Sequence, residues 1–111
     1  MLIDKAYPNE YNARMNVFHR TDIFDKWLTC LRDSKARARI IARLLLAEKG
    51  NFGDCEPVGD GVSEMRIHYG PGYRVYYTRR GDVLYLLLAG GDKSTQKKDI
   101  ALARKMAKES E

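Results

Sequence analysis

The chain has 111 residues, of which 44% are apolar and 32% charged, with a formal net charge of +5. That length allows one modest hydrophobic core and not two, and the composition excludes a disordered or fibrous chain. The longest apolar runs, LLLA and VLYLLLA, are far too short to span a bilayer, and the basic balance favours a polyanionic partner such as nucleic acid.

Residues 1–14, MLIDKAYPNEYNAR, show no period and contain Pro8, so they read as an irregular leader ahead of one domain over 15–111. Asp4, Pro8 and Glu10 leave no apolar stretch for a signal peptide, and a cytoplasmic location is the expectation. NVFHR (16–20) has strand composition. Thr21 suits an N-cap, with Asp22 favourable in the first turn. Ile23, Phe24, Trp27, Leu28 and Leu31 then recur at helical spacing to about Arg32. Cys30 falls inside that pattern, where simple packing accounts for it. With Cys55 elsewhere and no CxxC spacing, structural zinc is not expected. Asp33 or Ser34 caps a second helix from Lys35 to about Lys49, and Gly50 stops it. Ile40, Ile41, Leu44 and Leu45 give that helix a core face, and Lys35, Arg37, Arg39 and Arg43 a basic one. The short connection predicts an antiparallel helical hairpin. Residues 50–62, rich in Gly, Asp and Pro, read as loop.

Three strands follow. SEMRIHY (63–69) alternates Met65, Ile67 and Tyr69 with Glu64, Arg66 and His68. YRVYYT (73–78) alternates Tyr73, Val75 and Tyr77 with Arg74, Tyr76 and Thr78, and VLYLLLA (83–89) is the most apolar strand. Gly70-Pro71-Gly72 and Arg80-Gly81-Asp82 are the turns, which makes an antiparallel meander. A last helix begins at Ser94 or Thr95, with Ile100, Ala103 and Ala107 inward and its lysines and arginines largely outward. The predicted class is α+β: a small twisted antiparallel sheet, an N-terminal helical hairpin and a C-terminal helix, in the order βααβββα, with the helices on one sheet face.

That arrangement leaves the second sheet face free. Alternation places Arg66, His68, Arg74 and Tyr76 on it, within side-chain reach of one another. The glycines of GGDKSTQ read as a sharp strand end, after which Asp92 and Lys93 complete a cationic patch; Asp92 equally suits a helix cap. Such a set fits phosphodiester chemistry. Arginine grips phosphate oxygens, lysine and arginine stabilise a pentacoordinate phosphorane, and histidine or a tyrosine or lysine of lowered pKa moves the proton of a ribose 2′-OH. Arg37, Arg43, Lys97 and Lys98 are candidate RNA-backbone contacts, and they equally suit a solvated face. No carboxylate cluster suited to magnesium accompanies the set, so a nuclease of this kind needs no metal, and no cofactor is expected. The same surface would also serve a nucleic-acid binder that does not cleave, or a dock for an acidic protein.

Several stretches in this order, TDIFDKWLTCLRD, KARARIIARL, GNFGD, VSEMRIHYGPGYRVYYTRRGD and LLLAGGDKSTQKKDIALA, resemble the RelE/ParE superfamily of type II toxin–antitoxin toxins. The HigB-like addiction module killer proteins are the most similar branch, and the resemblance covers roughly 16–108. It implies a RelE-like fold and ribosome-dependent mRNA cleavage with the 2′-OH as nucleophile and no metal. Carried onto this chain, Arg66 and Arg74 hold the scissile phosphate, Lys93 stabilises the transition state or helps as base, and His68 and Tyr76 are the proton-transfer or stacking groups. RelE toxins typically place a catalytic tyrosine near the C-terminus; the tail KMAKESE has none. The implied partners are a helix-turn-helix antitoxin, the ribosome and mRNA, with operator DNA reached only through the antitoxin and no membrane. ParE-like members inhibit DNA gyrase instead, which leaves a gyrase inhibitor as an alternative; a further one is a non-catalytic binding partner and co-repressor.

Overall fold

The computed structural model describes residues 15–110, so the leader expected over 1–14 lies outside the described residues. The elements run β1 (Val17–Arg20), α1 (Asp22–Thr29), α2 (Ser34–Glu48), β2 (Cys55–Gly59), β3 (Val62–Ile67), β4 (Tyr73–Arg79), β5 (Leu84–Asp92), a 3₁₀ turn (Lys93–Thr95) and α3 (Gln96–Glu109). The class is α+β, with three α-helices and a five-stranded mixed sheet of order β1-β5-β4-β3-β2 among the described residues.

The helix starts follow the sequence. Thr21 caps α1 by accepting from Phe24 N at 3.1 Å, and Asp33 caps α2 through Lys35 N and Ala36 N. The Thr21 hydroxyl also bonds the carbonyls of Leu87 (2.8 Å) and Leu88 (2.9 Å), tying the start of α1 to β5 where the β4–β5 register slips. Phe24, Leu28 and Ile40 are buried, each such burial contributing about 1.5–3 kcal/mol. Ile23, Ile41 and Leu45, which share the helical period of the core residues, are exposed, and Cys30 is an exposed C-cap rather than a packed side chain.

Other features depart from the expected layout. Strand β1 precedes both helices, as the strand expected over 16–20 does, but it pairs with β5 in parallel, so the sheet is mixed rather than antiparallel and the two helices follow a strand instead of opening the fold. The loop expected over 50–62 contains β2. Pro57 and Gly59 disguise this strand, and they are tolerated because β2 is an edge that pairs with β3 alone, with its register slipping between them. The element order is thus βααββββα rather than βααβββα.

Strand β5 does not end at Ala89. It runs through Gly90 and Gly91 to Asp92. A Cβ on Gly90 would lie 2.2 Å from the Trp27 ring, and one on Gly91 would lie 1.8 Å from Asp99 Oδ2. The two glycines let helices approach the strand; they do not break it.

The helices cover both sheet faces, not one. Residues of α1 and α2 pack with Met65, Ile67, Tyr73, Val75, Tyr77 and Leu87. Ala103 and Ala107 of α3 pack with Val62, Tyr76, Leu88 and Ala89. Alternate strand residues point to opposite faces, so the apolar interior is two layers and not the single core the length suggested. Arg80, in the turn between β4 and β5, donates to Ala107 O and Ser110 Oγ, both at 2.6 Å, and fixes the end of α3. No helix among the described residues is long and apolar enough to cross a membrane.

Candidate functional site

The β3–β4 register sets Arg66 opposite Arg74 and Glu64 opposite Tyr76. These four side chains share the face that carries α3. Tyr76 is 0% exposed, Glu64 1% and Arg74 7%. The free face that alternation suggested is therefore a covered one, and Tyr76 offers no surface for a base to stack on. Its hydroxyl donates to Glu64 Oε2 at 2.9 Å. Burial, then that bond, pushes the phenol far above its ordinary value, the opposite of the lowered pKa that a tyrosine base requires.

Glu64 is the organising residue that the sequence reading passed over. Its carboxylate accepts from Tyr76, from Gln96 Nε2 at 2.8 Å and from Arg66 Nε at 3.3 Å, and it lies 3.8 Å from Arg74 Nε. It joins β3, β4 and the first turn of α3. The available signal was an acid alternating with Arg66 on one strand and facing a tyrosine on the next.

Arg66 is occupied on every side. Nε meets Glu64, Nη1 lies 3.4 Å from Asp54 Oδ1, and Nη2 pairs with Glu56. The Glu64 bond first, then these charges, raises the guanidinium above its ordinary pKa. As it stands, Arg66 ties β2 to β3 and is not an open phosphate fork. His68 follows β3, its side chain 71% exposed, with Nε2 2.6 Å from Asp54 Oδ2. That bond, reinforced by the charge of Arg66, holds the Asp54 carboxyl below its usual value.

Three of the five catalytic candidates do meet. His68, Arg74 and Lys93, with the turn 69–72, line one open cavity of about 400 Å³ at the end of the β3–β4 hairpin. Gly72 shapes its floor with φ +81°, and a Cβ there would lie 3.5 Å from both Arg74 Nη1 and Lys93 Cβ. Arg74 Nη1 donates to Gly72 O at 3.3 Å and Tyr73 O at 3.4 Å, while Arg74 Nε is buried without a hydrogen-bond partner. Lys93 is exposed at the start of the 3₁₀ turn. Asp92 beside it caps that turn, accepting from Ser94 N at 2.8 Å, in line with the helix-cap reading. The GGDKSTQ stretch thus supplies two close approaches, a cap, a rim cation and the Gln96 bond to Glu64.

The proposed RNA-backbone contacts do not gather. Arg37 donates to Leu31 O, and Arg43 to Arg66 O and, at 3.0 Å, to Phe52 O; both belong to α2. Lys97 and Lys98 are exposed on α3, beside Ser94 and Thr95 around a shallow hollow of about 550 Å³. The two pairs flank opposite sheet faces. What converges is an imidazole, a guanidinium and an ammonium around one groove, a set that can bind an anion and move a proton.

Residues 26–108 match the family described as phage-derived protein Gp49-like (DUF891). The chain belongs to that family. The match takes in the Asp54–His68 pair, the Glu64 network and the groove of this Gp49-like protein. An "Uncharacterized protein" of Haemophilus influenzae is 51% identical over 86 residues, covering 78% of this chain and 87% of that protein. No solved structure matches the chain.

Proposed function

We propose that this Gp49-like protein is the toxin of a type II toxin–antitoxin module that stops translation by cutting mRNA. The observation that carries the reading is the meeting of His68, Arg74 and Lys93 around one open groove. Arg74 holds the scissile phosphate, Lys93 stabilises charge on the pentacoordinate phosphorus, and His68 takes the proton of the attacking 2′-OH. No metal is needed, because the two cations carry the developing charge. Arg66 and Tyr76 act from behind, through Glu64. Lys97 and Lys98, exposed close to Lys93 in sequence, extend the path for RNA; Arg37 and Arg43 join it only by releasing the carbonyls they hold. The resemblance to RelE/ParE toxins and their HigB-like branch supports the same reading. It adds a cytoplasmic setting, the ribosome as the place of cleavage, and a helix-turn-helix antitoxin that neutralises the toxin and carries it to operator DNA. A chain of net charge +5 would meet an acidic antitoxin segment rapidly by electrostatic steering.

The test is to induce the chain without a partner and map mRNA ends while assaying DNA supercoiling. Wild type should arrest growth with new mRNA ends and normal supercoiling. Lys93→Ala should lower cleavage about 10²–10³-fold with unchanged Tm, and Arg74→Ala should lower it as far with a reduced Tm, because it also takes the cation from beside buried Glu64. If both variants cut as wild type does, the site assignment fails. The occupied Arg66 and buried Tyr76 favour one second reading, a ParE-like gyrase inhibitor, for which stalled supercoiling with intact mRNA is the expected result.

A further inference from the structure

We propose that Asp54 is the positioning residue that makes His68 the general base of this site, with Nδ1 as the basic atom. The inference rests on the nuclease reading above. Asp54 closes the GNFGD stretch, and contacts of Asn51, Phe52 and Gly53 shape the chain that leads to it. Asn51 accepts from Gly53 N at 3.2 Å, and Arg43 holds Phe52 O at 3.0 Å. Gly53 has φ +66°, and a Cβ there would lie 2.7 Å from Arg43 Nη2. Arg66 N donates to Asp54 O at 2.9 Å, which pins the loop to β3. The carboxylate then divides its oxygens: Oδ1 faces Arg66 Nη1 at 3.4 Å and Oδ2 faces His68 Nε2 at 2.6 Å.

An ionised carboxylate can only accept. His68 Nε2 therefore carries the hydrogen, and the neutral ring keeps its lone pair on Nδ1. None of the described residues is hydrogen-bonded to that nitrogen. The ring lines the groove with Arg74 and Lys93. In the cleavage step the ribose 2′-oxygen bonds to phosphorus and its proton passes to Nδ1. The bond to the 5′-oxygen breaks, and that oxygen takes a proton from solvent, leaving a 2′,3′-cyclic phosphate and a 5′-hydroxyl. The imidazolium then carries one proton on each nitrogen, with Nε2–H still held by Asp54.

The pair is exposed, with side chains 71% and 42% accessible, and exposed ion pairs add little to stability. A structural role and a positioning role therefore separate by experiment. The full chain is examined by long-range ¹⁵N–¹H NMR for the His68 tautomer, and its cleavage of ribosome-bound mRNA is timed, for wild type, Asp54→Asn, Asp54→Glu, His68→Ala and the control Asp60→Asn. The expected result is an Nε2–H ring in wild type and mixed tautomers in Asp54→Asn, with unchanged Tm. Cleavage should fall about 10²–10⁴-fold in His68→Ala and at least about 10-fold in Asp54→Asn, in kcat rather than KM, with partial recovery in Asp54→Glu. Asp60→Asn should cut as wild type. The proposal is overturned if Asp54→Asn keeps full cleavage, if the ring is not Nε2–H in wild type, or if the tautomer is the same in Asp54→Asn. A wild-type chain with the Nε2–H ring that cuts no mRNA supports the pairing and overturns the nuclease reading.

Discussion

Replacing Glu64 by glutamine keeps the shape of the most buried acid among the described residues and removes its charge. The carboxylate is 1% exposed and satisfies Tyr76, Gln96 and Arg66, with Arg74 Nε 3.8 Å away. A glutamine oxygen can still accept from some of these donors, but its amide faces donors with a donor of its own. Each buried donor left without an acceptor costs about 1–3 kcal/mol, and removing one member of a buried ion pair about 3–5 kcal/mol. Gln96 is only half-buried and can turn to water, so its share is small. The retained oxygen brings the expected loss to about 2–3 kcal/mol. At ~2.1 cal/mol/K of unfolding entropy per residue, a chain of 111 residues should lose about 9–13 °C in Tm. Thermal melts and urea titrations of Glu64→Gln, Tyr76→Phe and the double variant measure it. The two single changes share one bond, so the double variant should fall short of their sum by about 1–2 kcal/mol. A Glu64→Gln chain melting within about 2 °C of wild type, or strict additivity with Tyr76→Phe, would refute the account of Glu64 as the joint between α3 and the sheet.

Gly90→Ala drives a methyl into the Trp27 ring and Gly91→Ala drives one into Asp99, so each should destabilise by at least about 1–3 kcal/mol in urea titrations; a neutral Gly90→Ala would mean that Trp27 does not rest on β5. Stability should also fall in alkali. The phenols of Tyr76 and Tyr77 are raised above their ordinary value of 10.0, chiefly by burial. Below that pH both states are protonated and the contribution is fully present; above it the unfolded chain releases protons that the folded chain retains, and stability drains away as pH rises. Urea midpoints taken from about pH 8 to pH 11 should decline less steeply in Tyr76→Phe than in wild type, and an identical slope would show that burial of this phenol is not what the alkaline limb reports.

Helix starts and the central strands were legible because their signals are local. Thr21 and Asp33 cap as their chemistry dictates, and Met65, Ile67, Val75 and Tyr77 alternate onto the α1–α2 side as period two requires. The parallel pairing of β1 with β5 was not legible, because it joins residues more than sixty positions apart and leaves no trace near either. Edge strand β2 hid for a different reason. Pro57 and Gly59 carry loop composition, and only the lack of a second neighbour makes them harmless in a ladder. Gly90 and Gly91 misled because a glycine pair has two physical uses. Without the positions of Trp27 and Asp99, room for a neighbour cannot be told from a chain break.

The largest displacement of the site from its expected place follows from α3. Its inward positions include the small residues Ala103 and Ala107, which give a weak apolar signal yet allow the helix to lie close against Gly91, Leu88 and Tyr76. Beneath it, Glu64, Arg74 and Tyr76 look in sequence like a wet sheet face, because a polar side alternating with an apolar one is what solvent also produces. What distinguishes a buried polar face is pairing, and here Glu64 has the Tyr76 hydroxyl and the Arg74 cation on the neighbouring strand. The consequence for function is that the middle of the sheet is closed. The candidate groups that line an open groove lie where α3 ends its cover, at the turn after β3 and the start of the 3₁₀ segment. His68 and Lys93 stand there by chain position, and Arg74 reaches it from under the helix edge, with its Nε turned toward Glu64 and Nη1 on the turn carbonyls. The buried acid and the open groove are therefore linked through one arginine.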